Sequence, residues 1–124
     1  MTGEELVGRA EAAALHAYAP YSNYLVGACV LTKDGRVFDG VNVENAAYPL
    51  GICAEKTALA RAASEGIRPG DVEAIGITAS PCGGCRQWLH EWRVERVWFR
   101  REDGTIADSP VSALLPDTWE LPER

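Results

Sequence analysis

Three of the chain's four cysteines fall in two short runs, Cys53-Ala54-Glu55 and Pro81-Cys82-Gly83-Gly84-Cys85. Three thiolates suit a soft, tetrahedral zinc site whose fourth position is left open. Glu55 is surplus to that tetrahedron, so it stands where it could move protons for a metal-activated water. Hydrolytic loss of ammonia from an amidine-like carbon is the reaction such a set performs. Three thiolates on one zinc make a net negative centre, which activates water poorly. Helix N-termini expected beside Cys53 and Cys82, together with Lys56 and Arg86, would offset that charge.

Two other readings compete for the same residues. A structural zinc site needs a fourth protein ligand, and only Cys29, His16 or His90 remain, all poorly placed. Cys29 lies in a β-rich run and reads as a small buried hydrophobe. His90, five residues past Cys85, points away from the metal side of its helix. The other rival is a non-catalytic C-x-x-C redox protein, because Cys82-Gly83-Gly84-Cys85 follows a β-rich run. The upstream Cys53-Ala54-Glu55 favours a catalytic zinc over both.

The chain has 124 residues, enough for a real core, and is read as a single domain over 1–124. Its 47% hydrophobic and 24% charged residues are ordinary for a globular protein. A formal charge of −6 argues against gripping phosphate backbones, so no nucleic-acid partner is expected. Met1-Thr2-Gly3-Glu4-Glu5 is acidic where a secretory leader is basic, and no apolar run reaches membrane-spanning length. A cytoplasmic, reducing setting is expected, with thiols serving as ligands rather than disulfides.

The elements that must position these groups follow from patterning. Thr2 and Glu5 form a capping box for a first helix whose apolar stripe runs from Leu6 to Ala17, carrying His16, before Pro20. Tyr24–Leu31 and Val37–Val43 read as strands joined through Asp34-Gly35. A second helix begins near Cys53 and stops at Gly66. Val72–Ala79 is a third strand, and Ser80-Pro81 opens a third helix with Trp88, Leu89 and Trp92 on its apolar face. Val94–Phe99 is a fourth strand, a short fifth lies near Thr105-Ile106, and Ser109-Pro110 caps a last short helix. Arg93, Arg96, Arg100 and Arg101 read as a solvated or ion-paired face.

With these residues in place, the chain resembles the small, homotetrameric cytidine deaminases over nearly its whole length. Ala19-Pro20-Tyr21-Ser22, Val26-Gly27-Ala28, Asn42-Val43-Glu44-Asn45-Ala46, the two cysteine runs with Arg86-Gln87, and Leu114-Leu115-Pro116 followed by Trp119 stand in family order. The resemblance implies an α/β fold, a three-layer α-β-α sandwich around a five-stranded mixed sheet. It implies one Zn²⁺ per chain on Cys53, Cys82 and Cys85, with Glu55 as proton shuttle. Asn42 and Glu44 would bind sugar hydroxyls, the Ala54 backbone and Glu55 the pyrimidine edge, and Tyr24 would pack on the base. Ala46 belongs to the same substrate-binding set. Tyr48 and Trp119 would lie near sites completed by neighbouring subunits. The implied activity is hydrolysis of cytidine or deoxycytidine in pyrimidine salvage.

Four positions depart from the family pattern. Lys56 stands where arginine is usual, and an ammonium cannot fork two hydrogen bonds as guanidinium does. Pro49 replaces a small residue, Trp119 is bulkier than the usual phenylalanine, and the stretch from Val72 to Cys82 is a few residues short. That shortening is expected to open space near the leaving amine, which makes an N4-substituted cytidine one alternative substrate; blasticidin S is another, because the related blasticidin deaminases share the C-x-E and P-C-x-x-C pattern.

Overall fold

The structure, a computed structural model, describes residues 1–122. Thr2 starts helix α1 (Gly3–Ala14) by accepting from the Glu5 N–H, while the Glu5 carboxylate accepts from the Thr2 N–H. The helix ends at Ala14, so His16 and Ala17 follow it instead of lying on it. Its continuation is drawn away because the Tyr18 N–H donates to the Asn42 carbonyl at 3.0 Å.

Strands β1 (Gly27–Thr32) and β2 (Val37–Val41) form the expected antiparallel hairpin. Gly35 takes a φ of +89° at its turn, where a side chain would be strained. Both strands are shorter than the sequence pattern predicts. Residues 24–26 leave the ladder because the Asn42 side-chain amide occupies the Tyr24 carbonyl and the Val26 N–H.

A short 3₁₀ turn at Tyr48–Leu50 leads into helix α2 (Ala54–Ser64). Strand β3 (Val72–Ile77), helix α3 (Gly83–Glu91), strands β4 (Arg96–Arg100) and β5 (Ile106–Ser109), and helix α4 (Val111–Leu114) complete the chain. The sheet order is β2-β1-β3-β4-β5, with β3 and β4 parallel and every other pair antiparallel. The fold is therefore α/β with a five-stranded mixed sheet, as expected.

Strand β1 is buried along its whole length because both faces are covered. Ala28 and Val30 face Ala58, Leu59 and Leu89, the side of α2 and α3. Cys29 and Leu31 alternate to the other face, against Leu6 and Ala10 of α1. The helices approach closely where glycine lets them. A Cβ on Gly76 would sit 2.5 Å from the Leu6 carbonyl carbon, and one on Gly40 would sit 2.3 Å from the Ala58 nitrogen.

Helix α3 differs from expectation at its start and on its apolar face. Cys82, not Ser80, is its cap, so Pro81 precedes the helix and does not occupy its first turn. Leu89 is fully buried and Trp92 packs partly on the core, but Trp88 is 37% exposed. Consecutive residues lie about 100° apart around a helix, and α3 buries too narrow a stripe to hold both. Arg96 pairs with Asp108 and Arg100 with Glu11, in keeping with an ion-paired face. Among the described residues no helix is long and apolar enough to cross a membrane.

Candidate active site

Cys53 and Cys82 occupy the same structural position, each the extended residue that caps a helix. Neither side chain caps its own helix, so both sulfurs are free to turn outward. Their carbonyls accept the first helical bonds, from Thr57 at 3.1 Å and Arg86 at 2.9 Å. Cys85 lies in the first turn of α3 and is fully buried. Three thiols thus gather where two helices direct their unpaired N–H groups, the setting that favours thiolates.

The Cys53 and Cys82 sulfurs are 3.9 Å apart, and all three sulfurs lie within 4.8 Å of one another. Metal–sulfur bonds of about 2.3 Å at tetrahedral angles require sulfurs about 3.8 Å apart, so the donor set fits zinc. The sulfurs share their protons unevenly. Hydrogen bonding to Cys85 draws the Cys53 thiol down to about 6 against the opposing effect of burial, helped by Cys82 and the Lys56 charge. Cys85 is pushed up by that same bond and by burial. A thiolate forms readily at Cys53, and a divalent cation would displace the remaining protons.

Glu55, only 4% exposed, follows Cys53 by two residues in the first turn of α2. Burial pushes its carboxyl up, and the Cys53 charge adds to this, while its own N–H, the Cys85 thiol and Lys56 pull back. A carboxyl held on the high side of its range suits repeated proton transfer near neutral pH. The Lys56 ammonium lies over the start of α3, 3.5 Å from where a Cβ on Gly84 would be. Arg86 donates to the Pro81 and Leu114 carbonyls and to the Ser80 hydroxyl, fastening the segment that carries Cys82. His90 bonds Glu120 at 2.7 Å, and neither it, His16 nor Cys29 joins the sulfur cluster.

A cleft of about 360 Å³ opens above this group, lined by Tyr24, Val26, Asn42, Val43, Glu44, Tyr48, Gly51, Ile52, Ala79 and Ser80, with Cys53, Ala54, Glu55 and Cys82. Its size is that of a small-molecule site. The family model for the cytidine and deoxycytidylate deaminase zinc-binding region matches residues 1–101, which include all three cysteines and Glu55. A cytidine deaminase from Halalkalibacterium halodurans is 44% identical, covering 96% of this chain and 95% of its own. One from Sporosarcina psychrophila is 38% identical, covering 96% of this chain and 92% of its own. The chain belongs to the cytidine and deoxycytidylate deaminase family. The crystal structure of a cytidine deaminase from Burkholderia pseudomallei matches the fold with a TM-score of 0.90 at 43% identity, over 96% of this chain and 100% of that one. Zinc is accordingly the cofactor that both the family and the thiol cluster support.

Within this deaminase fold, Tyr24, Asn42, Glu44, Tyr48 and Ala54 meet in the cleft with Glu55. Ala46 is exposed and does not line it, and Trp119, 69% exposed, does not line it either. Asn42 already bonds the backbone of Tyr24 and Val26 at 2.8 Å each. Glu44 accepts from the Tyr21 and Ser22 N–H groups at 3.0 and 3.1 Å and from the Ser22 hydroxyl. Those bonds, the Ser22 hydroxyl foremost, hold its carboxyl below the usual range. Sequence reasoning had not placed Val26, Ile52, Ala79 or Ser80 in the wall. Adjacency to Cys53 and to Pro81-Cys82 is the available signal for the last three, and the Val26-Gly27-Ala28 run two residues after Tyr24 is the signal for Val26.

Proposed function

We propose that this chain hydrolyses cytidine and deoxycytidine to the uridine products and ammonia. The observation that carries the reading is the convergence of three thiols and one buried carboxylate at the floor of a nucleoside-sized cleft. Cys53, Cys82 and Cys85 would hold zinc, which supplies Lewis acidity and a water acidified to near neutrality. Lys56, whose charge already acts on Cys53, and the two helix ends moderate the negative charge of the thiolates. Arg86 is assigned to the same charge balance as well as to holding the Pro81 loop.

Glu55 takes a proton from the attacking water and delivers it to the departing amine, while its carboxyl and the Ala54 backbone hold the pyrimidine edge. Tyr24 forms the aromatic wall for the base. Asn42 and Glu44, both half-buried, meet the sugar hydroxyls, and an analogue lacking those hydroxyls would forfeit the contact. Tyr48 and Trp119 would lie near sites completed by neighbouring subunits in a homotetramer, which accords with their exposure, and Ala46 is kept in the substrate-binding set. One domain spanning 1–124, working in the cytoplasm in pyrimidine salvage, completes the reading. The names of the relatives favour cytidine over an N4-substituted cytidine, blasticidin S or a redox role.

The test is ultraviolet-monitored turnover of cytidine, deoxycytidine and N4-methylcytidine, with zinc measured on the same preparation. Conversion of cytidine at one zinc per chain is the expected result. Full zinc without cytidine turnover would remove the assigned substrate, and absence of zinc would remove the mechanism.

A further inference from the structure

Glu44 is the most heavily bonded carboxylate of the cleft, and its partners all come from one loop. One oxygen accepts the Tyr21 and Ser22 N–H groups, and the other accepts the Ser22 hydroxyl. A carboxylate offers about four acceptor directions. Three are taken, so the loop fixes which one is left to face the cleft. The same Ser22 oxygen accepts the Tyr24 N–H at 3.0 Å. Between them, Asn23 turns through a φ of +58°, and its N–H returns to the Ala19 carbonyl at 2.9 Å.

We propose that Ser22 is a positioning residue for substrate selection, its hydroxyl holding both the sugar-facing carboxylate of Glu44 and the backbone of Tyr24 at the aromatic wall. Ser22 does not line the cleft, so it acts on the substrate only through these two residues. It does line the shallow cavity on the far side of Glu44, with Tyr21, Asn45 and Tyr48. Asn42, two residues before Glu44, performs the matching task, tying Tyr24 and Val26 by its amide. The hydroxyl gives the carboxylate a fixed direction, which a backbone brace alone on the opposite oxygen cannot do. The proposal rests on Glu44 being the sugar acceptor.

Steady-state kinetics on the zinc-loaded protein test it, using cytidine and 2′,3′-dideoxycytidine with the wild type, Ser22→Ala, Ser22→Thr and Glu44→Gln. Ser22→Ala should raise KM for cytidine by about tenfold with kcat nearly unchanged, the scale of losing one hydrogen bond to a charged group. It should also narrow the preference for cytidine over the dideoxy analogue, and Ser22→Thr, which keeps the hydroxyl, should restore both. Ser22 is exposed, and zinc content and melting temperature should not move. A Ser22→Ala protein with wild-type KM, beside a Glu44→Gln protein with raised KM, overturns the role of Ser22 and leaves that of Glu44. Wild-type KM in both removes the sugar contact as well. Equal damage in the alanine and threonine variants would reduce Ser22 to a structural part and also overturn the proposal.

Discussion

Cys29 and Cys85 are both 0% exposed, yet they sit in opposite chemical surroundings. Cys29 lies in mid-strand opposite Asp39, packed against α1. Burial, then the Asp39 charge and hydrogen bond, push its thiol up to about 12. Cys85 shares the start of a helix with Cys82 and faces Cys53, whose own thiol is drawn down to about 6. Burial alone does not decide what a cysteine does. A helix end and two neighbouring sulfurs put one buried thiol in a cluster able to hold a metal, and their absence leaves the other as packing.

The sharpest way to break this contrast is to remove a sulfur from the cluster. Cys82→Ser, at an exposed capping position, should lose zinc and lower deamination by about a thousandfold or more with the fold intact. Elemental analysis and circular dichroism on one sample check both halves. Glu55→Gln should cost about a hundred- to ten-thousandfold in kcat while zinc stays at one per chain, because only the proton carrier is removed. Loss of zinc in that variant would make Glu55 part of the metal site. In reduced, zinc-stripped protein, alkylation of Cys53 should reach half its maximal rate near pH 6, as thiolate appears above a pKa of about 6. Cys29 should stay unlabelled in the same digest, and equal labelling would erase the distinction.

The smallest effect concerns Cys29 itself. Its folded pKa lies near 12 against an ordinary 9.0, so the stability its neutral form contributes is complete below pH 9 and lost as pH rises through 12. Cys29→Ala should bind zinc and deaminate normally and be destabilised by about 1 kcal/mol at neutral pH. The gap to wild type should close just above pH 9 and reverse before pH 12, because the wild type alone loses stability as the thiol is forced to ionise, which melting curves across that range would measure.

Much of this was legible in the sequence because it rests on local chemistry. The capping box at Thr2 and Glu5, the turn at Gly35 and the helix start at Cys53 are each settled within four residues of chain, whereas the start of α3 falls two residues later than Ser80-Pro81 suggests. What was less legible depends on distant partners. Residues 24–26 have strand-forming side chains, but Asn42, 16 residues past Val26, takes the Tyr24 and Val26 backbone groups and leaves those two as cleft wall. Ser22 stands in the Ala19-Pro20-Tyr21-Ser22 run, but nothing local joins it to its partner Glu44, 22 residues away. The exposure of Trp88 similarly reflects how much of α3 the sheet covers, which no periodicity states.

Cys53 and Cys82 are separated by 29 residues, and α2 and α3 otherwise touch sparingly. A metal joining them would act as a removable crosslink across the seam between two helices. Because it binds only the folded arrangement tightly, each hundredfold excess of free zinc over its dissociation constant adds about 2.7 kcal/mol to the stability of the chain. The same ion would then set how long the protein survives as well as what it can do. Under zinc scarcity the amount of folded enzyme would fall together with its activity, before any inhibitor or regulator is involved.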